Sequence, residues 1–428
     1  VFKPNDKTIF KINNYVLIDN IDNSDNIESV INNNSLSVKQ VNINNSKKFE
    51  NNFNFSKKFK DSNLSSNAYF NVEEVRNNNK INSTKPFLNL YFVNDYVFKQ
   101  SFNKTKTSFG TETQYGVKIK TFNTGIKVKY NNKSYDFKNS SETNQDYGNY
   151  NRLKEHFLNQ EINSSVSISK KTIFSFGINN NFVFQTVNLS QSIKTSFLGY
   201  NLNTKFSFSP NSILQISNSY SNTLSNPDNL IENQYIKDYK TILRNSNLLT
   251  NTIFPLNKLT INYLKTNPET NTFLIINGNH SWTNKSENSN VINENDYTIL
   301  ENAKNPKNKF TDFFIFYEKN FQKLPLIISY NIDFKHTIRQ FFVNQELTYF
   351  KTTYISNSFN IKSKFKKSPV HFDFGCTYSV TDYNNNNKIS NNRVVQFFSN
   401  INGLFSKNFY WRASYSYNNF IVNDNSCL

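Results

Sequence analysis

The residues best suited to catalysis or metal binding are scattered along the chain, without the spacing that such chemistry needs. The four histidines are His156, His280, His336 and His371. None of them falls into a metal-ligand motif, and no glycine-rich phosphate loop or nucleophile elbow occurs. We interpret the adjacent residues Glu73 and Glu74 as charged residues of a loop and not as a catalytic acid–base pair. The sequence therefore predicts a protein that is not an enzyme and that holds no metal or cofactor.

The two cysteines predict no chemistry either. Cys376 falls on the apolar side of an alternating segment, where we interpret it as a small hydrophobic residue. A disulfide with Cys427 stays open, so the sequence does not reveal whether the chain folds in an oxidising compartment.

Lysine is the residue type whose spacing is regular. In residues 115–130, YGVKIKTFNTGIKVKY, lysines alternate with apolar residues, and a similar pattern recurs near residue 362. A period of two places the lysines on one face of a strand and the apolar residues on the other. The lysines of this pattern are Lys118, Lys120, Lys127, Lys129, Lys362 and Lys364. We expect them to face a water-filled lumen and to favour anionic solutes; the alternative is that they only solvate a polar face.

Nucleic-acid binding is another function that the charge suggests. The net charge is +18 and the pI is about 9.5. However, the lysines are spread evenly along the chain and do not gather into one stripe. We predict no nucleic-acid partner, and we keep a soluble basic sheet protein that binds polyanions as an alternative.

The elements that position the lysines are β-hairpins. In residues 115–130 the short polar segment TFNTG contains a glycine and joins two alternating runs, which predicts a turn there. Similar turns are predicted near residues 60–61, 170–171, 209–212, 267–268, 322–323, 366–369 and 406–408. The polar segments 131–165, 221–247 and 284–309 lie between hairpins, and we predict that they are mostly without regular structure.

The composition limits the fold classes. The chain has 428 residues, of which 36% are hydrophobic and 16% aromatic. The hydrophobic share is below the roughly 45–50% typical of soluble domains, whereas the aromatic content excludes an ordinary disordered chain. No segment approaches the roughly 18 consecutive apolar residues of a transmembrane helix. An antiparallel sheet with one wet face fits these observations, either in a barrel or in a soluble sandwich with an aromatic-rich core.

Short turns that alternate with long loops favour the barrel. The predicted fold class is all-β: a large antiparallel transmembrane β-barrel of roughly 16–18 strands, with short turns on one side and long loops on the other. Residues 35–428 would form the barrel, and residues 1–34 would be a divergent hairpin, a plug remnant or a linker. Aromatic residues near strand ends would lie at the membrane interface, namely Tyr115, Tyr130, Tyr220, Trp282 and Trp411.

Two features resemble the barrel of TonB-dependent receptors and related outer-membrane proteins of Bacteroidetes. In residues 206–247 a strand ends in Ser-Pro, a second strand returns, and a loop contains IKDYKTILRNS, which is similar to the family's D-Y-R-T-L-like element. Aromatic hairpins also recur over residues 48–420. Lys240 stands where the family has arginine, and the glycine that follows the motif in the family is missing.

The resemblance implies a barrel in the cell outer membrane that encloses a plug and imports a ligand with energy from the inner membrane. Its partners would be outer-membrane lipid, a TonB-type energy-coupling protein and a surface lipoprotein. Segments 131–165 and 221–247 would capture the ligand, whose identity the sequence does not give. No plug, TonB box or terminal aromatic strand is recognisable, so we expect part of a larger receptor or a divergent relative. The alternative is a non-transporting surface adhesin or a structural barrel component of a secretion or assembly machine.

Overall fold

The alternating segments form one β-sheet. The computed structural model describes residues 2–5, 7–31, 34–83, 97–141, 149–188, 191–225, 233–238, 240–245, 253–294, 297–304, 306–321, 323–365, 370–385, 388–406 and 409–424. All 22 strands in this part of the chain belong to the one sheet, and nearly all of their pairings are antiparallel. No helix long and apolar enough to cross a lipid bilayer occurs among these residues. The predicted all-β antiparallel fold class is confirmed.

Seventeen long strands, neighbours in chain order, form the wall of the molecule, which agrees with the predicted number. They are β2 (Thr8–Ile31), β3 (Asn34–Lys58), β4 (Ser62–Ser83), β5 (Val97–Ile119), β6 (Phe122–Ser141), β7 (Asn149–Ser167), β8 (Thr172–Val187), β9 (Gln191–Ser209), β10 (Ser212–Leu224), β13 (Ile253–Asn267), β14 (Thr272–Thr283), β17 (Asn308–Asn320), β18 (Leu326–Val343), β19 (Glu346–Ser363), β20 (Val370–Asn385), β21 (Lys388–Ser406) and β22 (Phe409–Asp424). The remaining five are short: β1 (Phe2–Asn5), β11 (Asn233–Asp238), β12 (Thr241–Asn245), β15 (Glu287–Asn293) and β16 (Thr298–Lys304).

The wall is a single layer with two accessible faces. The total accessible surface of the chain is 26108 Å². A compact globular protein of 50.1 kDa would expose about 17,000 Å² by the usual scaling of surface with mass. A sandwich buries one face of each sheet against the other, so the excess surface speaks against the soluble sandwich.

The wall is curved, as shown by strands from two loops that connect distant parts of it. β12 pairs in parallel with β16, and β15 pairs in parallel with the end of β18, so that β11, β12, β16 and β15 form a row that we call the loop sheet. At its far end, Ile236 packs against Val38, Ile81 and Phe98 of β3, β4 and β5. In a flat wall β4 and β18, ten strands apart, would be separated by about 48 Å, but four steps across the loop sheet span only about 19 Å. The face that Ile236 contacts is therefore concave, and we call it the inner face.

The two ends of the wall lie at β2 and β22. Within the described residues β22 pairs with β21, and β2 pairs with β3 and with the short β1. Residues 1–34 thus contribute β1 and β2, and β2 pairs with β3 from Thr8 to Ile31. Side chains of β22 are exposed on both faces; for example Val422 is 66% exposed on one face and Tyr415 65% on the other.

Several local predictions were wrong. The turn between β5 and β6 consists of Lys120 and Thr121, and Gly125 lies within β6, opposite Gly116. Lys120 takes a positive φ of 53°, which the tight two-residue hairpin requires. Glu73 and Glu74 lie within β4 and not in a loop.

The prediction that segments 131–165, 221–247 and 284–309 are mostly without regular structure was also wrong. Residues 131–141 and 149–165 continue β6 and β7, and the other two segments contain β11, β12, β15 and β16. Beyond the apolar band the outer face is polar, and the inner face mixes amides and charges with a few apolar side chains such as Tyr135 and Phe137. The alternation in the sequence is therefore weak there, although the backbone ladder continues. The turns at the opposite end, the turn side, are short where the structure describes them in full, with two residues at 120–121 and at 210–211 and four at 168–171 and at 268–271. The turns predicted at 366–369 and 406–408 include residues outside the described part of the chain.

Candidate functional site

The inner face is lined by polar and charged residues that pair across strands. Lys127 Nζ lies 3.1 Å from Glu112 Oε1 on the neighbouring strand, and Lys362 Nζ lies 3.4 Å from Asp373 Oδ2. Glu73 accepts a longer contact of 3.6 Å from Lys106. Ion pairs of this exposure contribute little to stability, so they are better explained as the lining of a water-filled space than as a core.

The predicted lumen lysines occupy two kinds of position. The register places Lys118, Lys127 and Lys129 on the inner face of the β5–β6 hairpin, as it does Lys362 in β19. Lys120 lies in the turn, and Lys364 follows the end of β19, where its backbone N–H donates to Pro325 O at 2.6 Å. Four of the six lysines therefore line the wall and two lie at its turn-side rim.

The outer face is an apolar band. On β6 the side chains at Phe122, Ile126, Val128 and Tyr130 point away from the inner face, and Ile126 is 50% exposed. Toward the loop side, the next row of outer-face side chains across β7, β8 and β9 consists of His156, Phe184 and Lys194. Charged residues follow beyond this row. On β6 the band is nine residues long, from Phe122 to Tyr130, which matches the roughly 9–11 residues of a membrane-crossing strand.

All five predicted interface aromatics lie on the outer face. Tyr115 and Trp411 lie near the turn-side ends of β5 and β22, and Tyr130, Tyr220 and Trp282 lie toward the loop side. Tyr220 stacks on Tyr200 at 6.0 Å, and Trp282 stacks on His280 at 5.1 Å, as measured between ring centroids.

Three histidines that looked scattered in the sequence recur at the loop-side edge of this band. Each accepts or donates a hydrogen bond at Nδ1 to a hydroxyl on a neighbouring strand: His156 to Tyr130 at 2.9 Å, His280 to Thr311 at 2.8 Å, and His336 to Thr353 at 2.9 Å. They do not form a metal centre, since no cluster of three or more metal-ligating side chains occurs among the described residues. Cys376 is a free thiol on β20, and Cys427 lies outside the described part of the chain.

One carboxylate is buried on the inner face near the loop side. Glu155 is 3% exposed; its Oε1 lies 2.9 Å from Lys133 Nζ, and its Oε2 accepts from Gln185 Nε2 at 2.9 Å. Next to it Tyr135, Phe137 and Leu153 form a buried apolar cluster. A buried charge needs partners of this kind, because losing one leaves it uncompensated at a cost of about 3–5 kcal/mol. Glu155 therefore anchors this part of the inner face.

The loop-side rim of β6 and β7 also carries a charged group on the outer face. Asp136 accepts hydrogen bonds from Arg152 Nε at 2.5 Å and from Tyr150 Oη at 2.8 Å. The hydrogen bond to Asp136 raises the pKa of Tyr150 above its ordinary value, and burial and the charge of Asp136 add to it. The charge of Arg152 is balanced by Asp136, with which it forms an ion pair.

The loop sheet crosses the inner face at its loop-side end, which we call the mouth of the wall, and a set of hydrogen bonds holds it there. Asn79 Nδ2 donates to Ile236 O at 3.0 Å, and Ile236 N donates to Gln100 Oε1 at 3.0 Å. Gln40 Nε2 donates to Lys237 O at 3.2 Å. Both backbone groups of Ile236 are thus satisfied by side chains of the wall, and its own side chain is fully buried. Burying a side chain of this size contributes about 1.5–3 kcal/mol.

The segment that carried the family resemblance, residues 236–246, lies in this closure. The described residues of this segment form the β11–β12 hairpin, which contacts the inner face through Ile236, and ligand capture by this segment stays a prediction. The residues that hold it, Gln40, Asn79 and Gln100, were not predicted. They belong to a polar strand face with many other amides, and their contacts join residues 136 to 197 positions apart. No local pattern marks such a contact.

Comparison with known proteins gives likeness of structure alone. No protein-family model and no curated protein matches the chain. Among solved structures, the chain is similar to the copper transporter OprC (6% identity, 93% of this chain and 76% of that chain, TM-score 0.48). It is also similar to the siderophore receptor PirA from Pseudomonas aeruginosa (9% identity, 97% and 81%, TM-score 0.42) and to a double mutant of the Serratia marcescens hemophore receptor HasR (6%, 94% and 76%, TM-score 0.44). At these scores no residue of the chain can be equated with a residue of those proteins.

Proposed function

We propose that the chain is the wall of an outer-membrane β-barrel that admits a ligand from its loop side, in the manner of a TonB-dependent receptor. The observation that carries the proposal is the opposition of the two faces: an exposed apolar band nine residues long outside, and an ion-paired polar lining inside. A bilayer would cover the first face, and water would fill the space within the second. In this proposal Lys118, Lys127, Lys129 and Lys362 line the passage.

The position of the loop sheet favours regulated passage of a ligand over free diffusion. Wide barrels of 16–18 strands leave an aqueous channel, but here the loop sheet crosses the opening and is held at Ile236. A ligand that displaced this hairpin would open the path. Coupling to a TonB-type protein, a surface lipoprotein as partner and a Bacteroidetes-type receptor rest on the sequence resemblance of residues 206–247 and 48–420.

The test has two parts. First, membrane fractionation and heat-modifiable gel mobility of the whole chain separate a membrane barrel from a soluble sheet, and a soluble, heat-insensitive chain would overturn the proposal. Second, vesicle swelling with small sugars measures passage through the wall. We expect slow swelling with the wild-type chain and faster swelling with the double variant Gln100→Ala and Ile236→Asp, because both changes detach the hairpin from the inner face. The single variant Lys351→Ala, on the outer face, is the matched control.

A non-transporting wall is the second candidate, because a permanent closure would also explain the contacts at Ile236. Ile236 is fully buried and both of its backbone groups are bonded to the wall, as a permanent structural contact would be. If the double variant folds and inserts in the membrane but swells vesicles no faster than the wild type, the adhesin or structural-component alternative is the better one.

A further inference from the structure

The outer face carries a groove at the loop-side edge of the apolar band, away from the inner face and its mouth. The groove has a volume of about 450 Å³ and lies across β6 to β9. Its lining includes Tyr130, Leu158, Phe182 and Phe184, with His156 and Lys194 toward the loop side. The tyrosine hydroxyl and His156 Nδ1 are joined at 2.9 Å, which holds both rings at the edge of the groove.

Cations without acidic partners lie at one end of this groove. Lys194 is exposed and its Nζ lies 5.6 Å from the centre of the Phe184 ring, a contact with a π face and not with a carboxylate. Lys154 lies on β7, one row of outer-face residues farther toward the loop side. Neither lysine forms an ion pair within the described part of the chain, whereas the nearby Arg152 is paired with Asp136.

The position of the two lysines suits one shared anion. Their backbones lie two strands and one row apart, about 12 Å, and both side chains start from the outer face on the same side of the groove. Long lysine side chains can therefore converge on a single group at the end of the groove. Lysine binds phosphate as a point charge.

We propose that this groove binds an anionic lipid, with an acyl chain on Leu158 and Phe182 and the headgroup phosphate at Lys194 and Lys154. The proposal rests on the proposed function in one respect: lipid reaches this face only if the apolar band lies in a membrane. A lipid fits better than a soluble anion, because the floor of the groove is apolar and the cations stand at the edge of the band, where headgroups lie. The groove thus takes an amphiphile whose charged end points toward the loop side.

The experiment measures lipid binding to the whole chain in detergent micelles by native mass spectrometry. The probes are dilauroyl phosphatidic acid, dilauroyl phosphatidylcholine and inorganic phosphate. We expect phosphatidic acid to bind more tightly than phosphatidylcholine, and the double variant Lys154→Ala and Lys194→Ala to bind it about 30-fold more weakly, given the usual contribution of each lysine near an anionic lipid. Lys351→Ala removes another exposed outer-face lysine, outside the groove, and should leave binding unchanged.

The variant Leu158→Asn separates the lipid from a free anion. For a lipid site it should weaken phosphatidic acid binding, and inorganic phosphate should not displace the lipid. Displacement by inorganic phosphate together with no effect of Leu158→Asn would overturn the proposal in favour of a free-anion site, and wild-type affinity in the double lysine variant would overturn it altogether. Because micelles require no transport and no bilayer, failure of vesicle swelling or of membrane insertion refutes the proposed function without affecting this result. Gel mobility of each variant checks that the wall has folded.

Discussion

A lysine in the middle of the apolar band tests directly which solvent bathes the outer face. Ile126 lies four residues from Phe122 and four from Tyr130, the two ends of the band on β6, and its side chain is 50% exposed. Four residues correspond to about 14 Å along a strand, or roughly 10 Å of depth at the tilt of strands in membrane barrels. Ile126 would therefore stand near the middle of the apolar layer.

We predict that Ile126→Lys lowers the free energy of unfolding in lipid vesicles by about 2–4 kcal/mol, the range typical of a cation facing lipid at the bilayer midplane. This corresponds to a roughly 30- to 900-fold change in the unfolding equilibrium. If water bathed this face, the substitution of a half-exposed residue would change the free energy by less than about 0.5 kcal/mol. The two solvents thus predict results that differ well beyond experimental error.

The matched control is Thr105→Lys. Thr105 lies on the same outer face but beyond the band, between Glu74 and Asp136 on the adjacent strands, so a lysine there should change stability by less than about 0.5 kcal/mol. Urea unfolding in phosphatidylcholine vesicles can be followed by the fluorescence of the two tryptophans, Trp282 and Trp411. Equal destabilisation by the two lysine variants would refute the assignment of the outer face to lipid.

Three further predictions concern single residues. Asn180 is an amide within the apolar band, so Asn180→Leu should raise the free energy of unfolding in vesicles by about 1 kcal/mol, and a decrease in the same urea assay would count against a lipid-facing position. Lys133→Ala should cost about 3 kcal/mol, because it leaves the buried Glu155 uncompensated, whereas Glu155→Gln should cost less; the reverse order would contradict that role. Gln100→Ala should speed hydrogen exchange at the Ile236 amide at least tenfold, since the loss of about 1.4 kcal/mol of closure has that effect, and unchanged exchange would show that the amide is protected by other contacts.

The strands and their faces could be predicted because the apolar band imposes a period of two. Tyr115 and Val128 alternate with Lys118 and Lys127, and this pattern indicated both the hairpin and the face on which each residue lies. The turn itself was misplaced. Sequence reasoning assigned it to TFNTG because of its glycine, but a two-residue hairpin at Lys120 and Thr121 needs only that Lys120 adopt a positive φ.

The closed mouth could not be predicted, for two physical reasons. Beyond the band the outer face is polar and the inner face carries only a few apolar side chains, so β6 and β7 continue for many residues without a regular alternation to reveal them. The closure itself depends on amides that bond to the backbone of a strand 136 to 197 positions away. Gln100 and Asn79 differ from dozens of other amides only in where the curled wall brings them.

The ends of the wall determine how the barrel can close. If the outer face lies in a membrane, as proposed, β2 and β22 both need a neighbour, because lipid cannot satisfy the free backbone groups of an edge strand. Because the wall has an odd number of long strands, β2 and β22 run in the same direction, and direct pairing between them would be parallel. β1 runs antiparallel to β2. A strand placed between β2 and β22 that runs in the direction of β1 would therefore pair antiparallel with both of them. A barrel that contains these 17 long strands is wide enough for an aqueous channel, and the contacts of the loop sheet at Ile236 then decide whether that channel is open.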